Sequence, residues 1–187
     1  EVLIPEEIRP AADAFRAYYA AGKIVFHEEF IEKQVWSLRH RYAGTVDALA
    51  TVDGKFGVLD IKTSTGFYPE YNLQTAAYVS ALQEFQVKKI LALTRDIETR
   101  WILRVDQRKS CKKCGATLRE KGGRIKIRKG KNGTSVCLGE AHSWGETAGE
   151  IELREFPYLY KDIKAFVAAK ILWEWENDYW LRQVKYI

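Results

Sequence analysis

AGTVDALATVDGKFGVLDIKTSTGFYPEYNLQTAAY, residues 43–78, decides how the rest of the chain is read. Thr45 to Val52 is rich in β-formers, and Asp53-Gly54 follows, the strongest short hairpin signal a sequence offers. Lys55 to Thr63 then returns as a second strand. With Asp53 and Gly54 as the two loop residues, Val52 faces Lys55 and paired positions sum to 107. That register sets Asp47 opposite Asp60. Side chains alternate along a strand, so Lys62 shares the face of Asp60, while Val46, Leu59 and Ile61 point the other way, toward a core.

Like charges opposite each other destabilise a hairpin unless a cation lies between them. Two carboxylates with water suit Mg²⁺ or Mn²⁺, which take oxygen ligands. A lysine beside them orients or deprotonates a water, or stabilises charge building on a phosphate. The plainer alternative is a surface hairpin with scattered charges. After Lys62, Thr63-Ser64-Thr65-Gly66 is a polar loop placed to touch phosphates. Pro69 then opens a helix to about Phe85, on which Gln74 and Tyr78 lie four apart on one face. Ala76, Ala77 and Ala81 let that helix approach a sheet closely.

Gly44-Thr45-Val46-Asp47, then Asp60-Ile61-Lys62, then Gln74-x-x-x-Tyr78 resembles the PD-(D/E)XK nuclease superfamily, in its RecB-like exonuclease branch. That branch carries G-x-x-D, D-x-K and Q-x-x-x-Y in this order and at similar spacing. The resemblance covers about Pro5 to Phe85, and more loosely the last strands and helix. It implies an α/β fold, a mixed central sheet flanked by helices like the restriction-endonuclease core. It implies Mg²⁺ or Mn²⁺ held by Asp47, Asp60 and the carbonyl of Ile61, with Lys62 acting on the attacking water. Gln74 and Tyr78 would steady the backbone of a DNA substrate, single- or double-stranded, in recombination, repair or phage DNA processing. Relatives often carry a glutamate at the start of the preceding strand. Glu32 fits, sharing a face with Gln34 and Trp36 if Ile31 to Trp36 alternates as a strand; a solvated edge glutamate is the alternative. Relatives also carry an upstream helix with a motif histidine. His27 follows the first helix and does not match that position, so it is assigned no role.

The chain has 187 residues, enough for one sizeable core and a small appendage. It is 47% hydrophobic and 29% charged, as globular proteins are. No apolar run approaches the ~18 residues of a membrane span, and no signal peptide is visible, so a cytoplasmic setting is expected. The absence of Met and the start at Glu1 suggest a fragment or processed form. Residues 5–21 read as a first helix with Ala14, Phe15, Tyr18 and Tyr19 as its apolar stripe and Gly22 as C-cap; Pro10 marks its possible true start. Val87 to Leu93 and Thr99 to Val105 read as strands. Tyr158 to Leu181 reads as a closing helix whose Phe166, Val167, Ile171, Trp173, Trp175 and Trp180 are expected to pack on the sheet.

Residues 107–148 form an insert in the nuclease core of residues 1–106 and 149–187. It holds all three cysteines, in the pattern Cys111-x2-Cys114-x22-Cys137-x4-His142. Three thiolates and an imidazole suit tetrahedral structural Zn²⁺. An odd cysteine count in a reducing compartment argues against a disulfide, and a redox C-x-x-C lacks its βαβ setting. Arg124 to Arg128, a Lys131-Asn132-Gly133 turn and Thr134 to Val136 read as a hairpin, as in a zinc ribbon. Residues 107–136 hold eleven Lys or Arg and one Glu, a net of +10 in a chain whose total is +5, so the remainder carries −5. Concentrated positive charge on a small module is a footprint of phosphate binding; a solvated loop is the alternative. The sequence therefore points to a metal-dependent exonuclease acting on DNA. A non-catalytic nucleic-acid-binding module that uses the ribbon is the rival from another class. A sequence-specific endonuclease is a second rival, without a visible target-reading element.

Overall fold

The computed structural model describes residues 3–121, 124–128, 137 and 141–186. In chain order the helices are α1 (Arg9–Ala20), α2 (Pro69–Leu82), α3 (Phe85–Ile90), α4 (Tyr160–Glu176) and α5 (Asp178–Gln183). The strands are β1 (Ile24–Phe26), β2 (Lys33–Ser37), β3 (Tyr42–Val46), β4 (Ala48–Val52), β5 (Lys55–Lys62), β6 (Thr99–Cys111), β7 (Thr117–Lys121), β8 (Arg124–Arg128) and β9 (Trp144–Glu155). The architecture is α/β, a mixed central sheet flanked by helices. Its strand order is β1-β4-β5-β6-β7-β8, with β9 on β6; β2 and β3 form a separate ribbon. Contacts divide the chain into two units, residues 24–61, 66–103 and 153–187 in one, and 1–23, 62–65 and 104–152 in the other.

The first of these holds the central hairpin. β4 and β5 pair antiparallel with Val52 opposite Lys55 and Ala48 opposite Leu59, the register that the Asp53-Gly54 loop dictates. Both loop residues have positive φ, 49° and 80°, as the favoured two-residue turn requires. The strand expected from Thr45 to Val52 is, however, broken. β3 ends at Val46, β4 starts at Ala48, and Asp47 occupies the bend between them. β3 pairs with β2, Val46 facing Lys33, so this chain segment changes partners at Asp47. Glu32 lies outside β2, in the left-handed region at φ 49°, where its N–H donates to the Asp47 carbonyl at 2.9 Å. It therefore does not share a strand face with Gln34 and Trp36, because a left-handed residue interrupts the alternation that an extended chain would keep.

Phe56 and Val58 of β5 join Val46, Leu49, Tyr78, Val79 and Leu82 in the core cluster. Asp60 and Lys62 follow on the same face by alternation. A core thus lies on the carboxylate's own side of the strand, toward α2, in addition to the expected side. Leu59, on the other side, is also fully buried, so β5 is covered on both faces. α2 is narrow there because Ala76, Ala77 and Ala81 are small and buried.

Arg100, at the start of β6, is the largest fully buried side chain among the described residues. Its guanidinium donates to the carbonyls of Phe156 at 2.9 Å, Asn72 at 2.9 Å and Tyr158 at 3.0 Å, and to the Asp162 carboxylate. It thus ties β6 to α2 and to the segment leading into α4. Burial pulls the guanidinium below its usual range and Asp162 pushes it back. Removing one partner of a buried pair leaves a desolvated charge, so Asp162→Ala should cost about 3 kcal/mol. A urea titration should show the midpoint fall with the slope unchanged. The same truncation of Glu155, paired with an exposed Lys55, should shift the midpoint little.

Two expectations for this unit fail. Residues 87–90, expected to begin a strand running to Leu93, belong instead to α3, with Val87 buried and Phe85 and Ile90 exposed. The β-branched content suggested a strand, but Val87 and Leu91 are the inward pair at helical spacing. The closing helix is divided at Asn177, and no residue of α4 is fully buried. α4 packs against α2, and its Phe166 stands edge-on to Tyr42 of β3 at 4.9 Å, while Trp173, Trp175 and Trp180 are more than half exposed. A helix apolar around most of its circumference gives no periodic signal for which face is covered.

In the other unit, a 3-10 turn at Glu6–Ile8 precedes α1, and Pro10 occupies its first turn, where the missing N–H costs nothing. β7 pairs with β8, Lys121 opposite Arg124. The Arg124–Arg128 strand therefore pairs antiparallel with the preceding strand, β7. The expected partner at 134–136 and its turn at 131–133 lie outside the described residues.

Candidate active site and metal centre

In the first unit the chain break at Asp47 has a chemical consequence. Asp47 Oδ2 accepts the backbone N–H of Ile61 at 2.6 Å, so the half-buried carboxylate is fastened to the peptide that joins Asp60 to Ile61. Asp60 itself is 0% exposed. It is engaged by its surroundings, yet its Oδ2 accepts no hydrogen bond among the described residues. Through its bond to the Ile61 N–H, Asp47 is brought next to the Asp60–Ile61 peptide, and both Asp47 and Asp60 offer oxygen atoms of the kind that Mg²⁺ or Mn²⁺ takes as ligands. Lys62, half-buried, ends β5 two residues on.

α2 contributes the third motif. Gln74 Nε2 donates to the Tyr78 hydroxyl at 2.8 Å, joining the two residues on one helix face. The Tyr78 ring lies against Gly44, where an added Cβ would come within 2.8 Å of its Cε1. G-x-x-D and Q-x-x-x-Y are therefore in contact, and the glycine is explained by the ring it must clear. Gly44→Ala should displace Tyr78 with a stability cost of only ~1–2 kcal/mol, because the ring edge can move. If Tyr78 positions substrate, that shift should slow DNA cleavage tenfold or more, on the order of the cost of a small misplacement. Measuring cleavage rate and urea midpoint on one preparation separates the two effects.

Glu32 is exposed and belongs to no group of three metal-ligating side chains among the described residues. His27, unassigned from sequence, hydrogen-bonds Thr51 Oγ1 at 2.9 Å and stands edge-on to Phe56 at 4.9 Å, a structural role.

The other unit holds a second donor set. Ligand atoms of Cys111, Cys114, Cys137 and His142 lie within 4.8 Å of one another, an arrangement able to hold a metal ion. Cys111 ends β6, Cys114 follows in the turn, and His142 precedes β9. Backbone bonds shape the knuckle: Cys111 N–H to Ala116 C=O at 2.7 Å and Gly115 N–H to Cys111 C=O at 2.9 Å. Lys112 N–H to Ser143 C=O, 2.8 Å, holds the cysteine and histidine ends together, and His142 stacks on Trp144. Burial opposes ionisation of Cys111, but hydrogen bonds from the Cys114 backbone, His142 and the Lys113 and Ser143 backbones outweigh it and bring its pKa to about 5. Cys137 is pushed up to about 11, first by burial and then by the neighbouring Cys114 and Cys111. Such crowding of thiols is what a divalent cation relieves, since ligands bind as thiolates.

Sequence reading missed a charged network here. Arg104 contacts Asp106 at 3.4 Å, Glu150 at 3.4 Å and Glu152 at 3.3 Å. Asp106 also accepts from Arg119 at 2.5 Å, and Glu150 pairs with Arg108. The signal was present as Arg104-x-Asp106-x-Arg108, charged residues at strand period.

No helix among the described residues is long and apolar enough to cross a membrane. Compared with known proteins, the chain matches no protein-family model, and no curated protein is significantly similar to it in sequence.

Proposed function

We propose that this chain is a metal-dependent deoxyribonuclease of the PD-(D/E)XK type, hydrolysing DNA phosphodiester bonds as an exonuclease. The observation that carries the reading is the Asp47 carboxylate bonded to the Ile61 amide beside buried Asp60. It brings both acids of G-x-x-D and D-x-K to one strand end. Asp47, Asp60 and the Ile61 carbonyl would hold Mg²⁺ or Mn²⁺. When bound, that ion supplies positive charge for phosphate oxygens and a more acidic water. Lys62 orients the attacking water and offsets charge developing on the phosphate. Gln74 and Tyr78, locked to each other, position the strand. Cys111, Cys114, Cys137 and His142 hold a structural Zn²⁺ that orders the basic insert. A cytoplasmic place in recombination, repair or phage DNA processing follows from the same resemblance.

The basic insert favours a second reading, a module that binds nucleic acid without cutting it. Labelled linear and circular DNA incubated with the protein and Mg²⁺, Mn²⁺ or EDTA distinguishes the two. An exonuclease degrades linear DNA from its ends in Mg²⁺ or Mn²⁺ and spares circles. A binding module retards both and cuts neither.

A further inference from the structure

We infer that the charged cleft of the second unit is a seat for one backbone phosphate of the DNA strand, a site separate from Asp47 and Asp60. The inference rests on the nuclease reading only in taking DNA as ligand. The cleft encloses about 50 Å³ and is lined by Arg104, Arg108, Arg119 and Arg128 with Asp106 and Glu150, a net of +2. Small-molecule sites are several times larger, so the cleft admits a single anionic group rather than a whole metabolite.

The acids are already used. Asp106 and Glu150 are engaged by Arg104, and each also holds one outer arginine, Arg119 and Arg108. They act as a frame that fixes guanidinium planes. Arg119 is further fixed by donating to the Thr63 carbonyl at 3.1 Å. Arg128 differs. It is exposed, donates to the neutral Thr65 hydroxyl at 3.1 Å, and forms no ion pair among the described residues. A guanidinium without a carboxylate, beside two held by their neighbours, is the arrangement that grips phosphate bidentately. Thr65, and Thr117 opposite Arg128 on β7, add hydroxyl donors.

Placement fits a polymer. Thr65 follows Lys62 by three residues, so their Cα atoms are at most ~11 Å apart. A strand seated here has neighbouring phosphates within reach of Lys62. Such contacts position without reading sequence.

The test is fluorescence anisotropy of labelled single-stranded DNA against salt, without added Mg²⁺ or Mn²⁺, for the full chain and for Arg128→Ala. Arg128 lies outside the ion-pair frame, so the variant should fold normally. Affinity should drop about tenfold whatever the sequence, and the slope of log K against log salt should shrink by ~0.7, the loss of one phosphate contact. Lys161→Ala, on α4, should change neither. In a Mg²⁺ cleavage assay Arg128→Ala should raise KM and leave kcat unchanged. Unchanged affinity, slope and KM in Arg128→Ala would overturn the phosphate seat and leave the nuclease reading standing. Wild-type protein that binds DNA through Arg128 but never cuts it would uphold the seat and overturn the nuclease reading. Absence of DNA binding by the wild type would overturn the seat as well.

Discussion

Asp60→Asn should abolish metal-dependent DNA cleavage, a loss of at least ~10³-fold, while the protein stays folded. The loss is large because Asn is a neutral, weaker ligand, and the positive charge that offsets phosphate charge would no longer be retained. The fold should survive because Asp60 is a buried acid on a face shared with Phe56 and Val58. Asn keeps the shape of the buried acid, so the strand can stay in place and unfolding should remain cooperative. Asp47→Asn gives an independent check. Its amide oxygen can still accept the Ile61 N–H, so the local geometry persists while a ligand charge is lost. Both variants should be inactive with native circular dichroism. Wild-type rates in Asp60→Asn would remove the active site from this strand end.

Cys114→Ser should take the zinc content of purified protein from one ion per chain to none. Cys114 lies 3.4 Å from His142 Nδ1 and belongs to the only such four-ligand group among the described residues. A serine hydroxyl is too weakly acidic to replace the thiolate. Without the ion, Cys111 and His142 are still linked through the Lys112 N–H to Ser143 C=O bond, while Cys137 loses the metal bond that would tie it to them. Limited proteolysis should then cut within 112–141 first, while Phe56, Val58 and Leu82 keep the core of the other unit folded. Metal analysis and the proteolysis pattern are read together. Full zinc content in Cys114→Ser would show that the ion is held elsewhere.

Much of the site was legible because local chemistry determines it. Asp53-Gly54 fixed the register of β4 on β5, and helical spacing placed Gln74 beside Tyr78. The Cys and His spacing named Cys111, Cys114, Cys137 and His142 as one set, and their ligand atoms lie within 4.8 Å of one another. What failed depends on partners distant in sequence. Nothing in Thr45 to Val52 announces that the strand changes partners at Asp47, because both halves are equally good β-formers. Glu32 carries no glycine to mark its left-handed backbone. The tryptophans of α4 and α5 are as apolar as core residues, and exposure cannot be read from composition. Arg100 looked like one arginine among many, although its burial and four acceptors make it a central tie in its unit.

The central claim is that Asp47 and Asp60 together hold the catalytic cation. Fe²⁺ in place of Mg²⁺, with ascorbate and peroxide, produces short-lived radicals that cut the polypeptide wherever the ion is bound. Mapping those cuts by mass spectrometry tests the claim most directly. Wild-type protein should be cut near residues 47 and 60–62, excess Mg²⁺ should suppress the cuts, and Asp60→Asn should lack them. Cuts only around Cys111 and His142, or cuts near residue 60 that persist in Asp60→Asn, would contradict it.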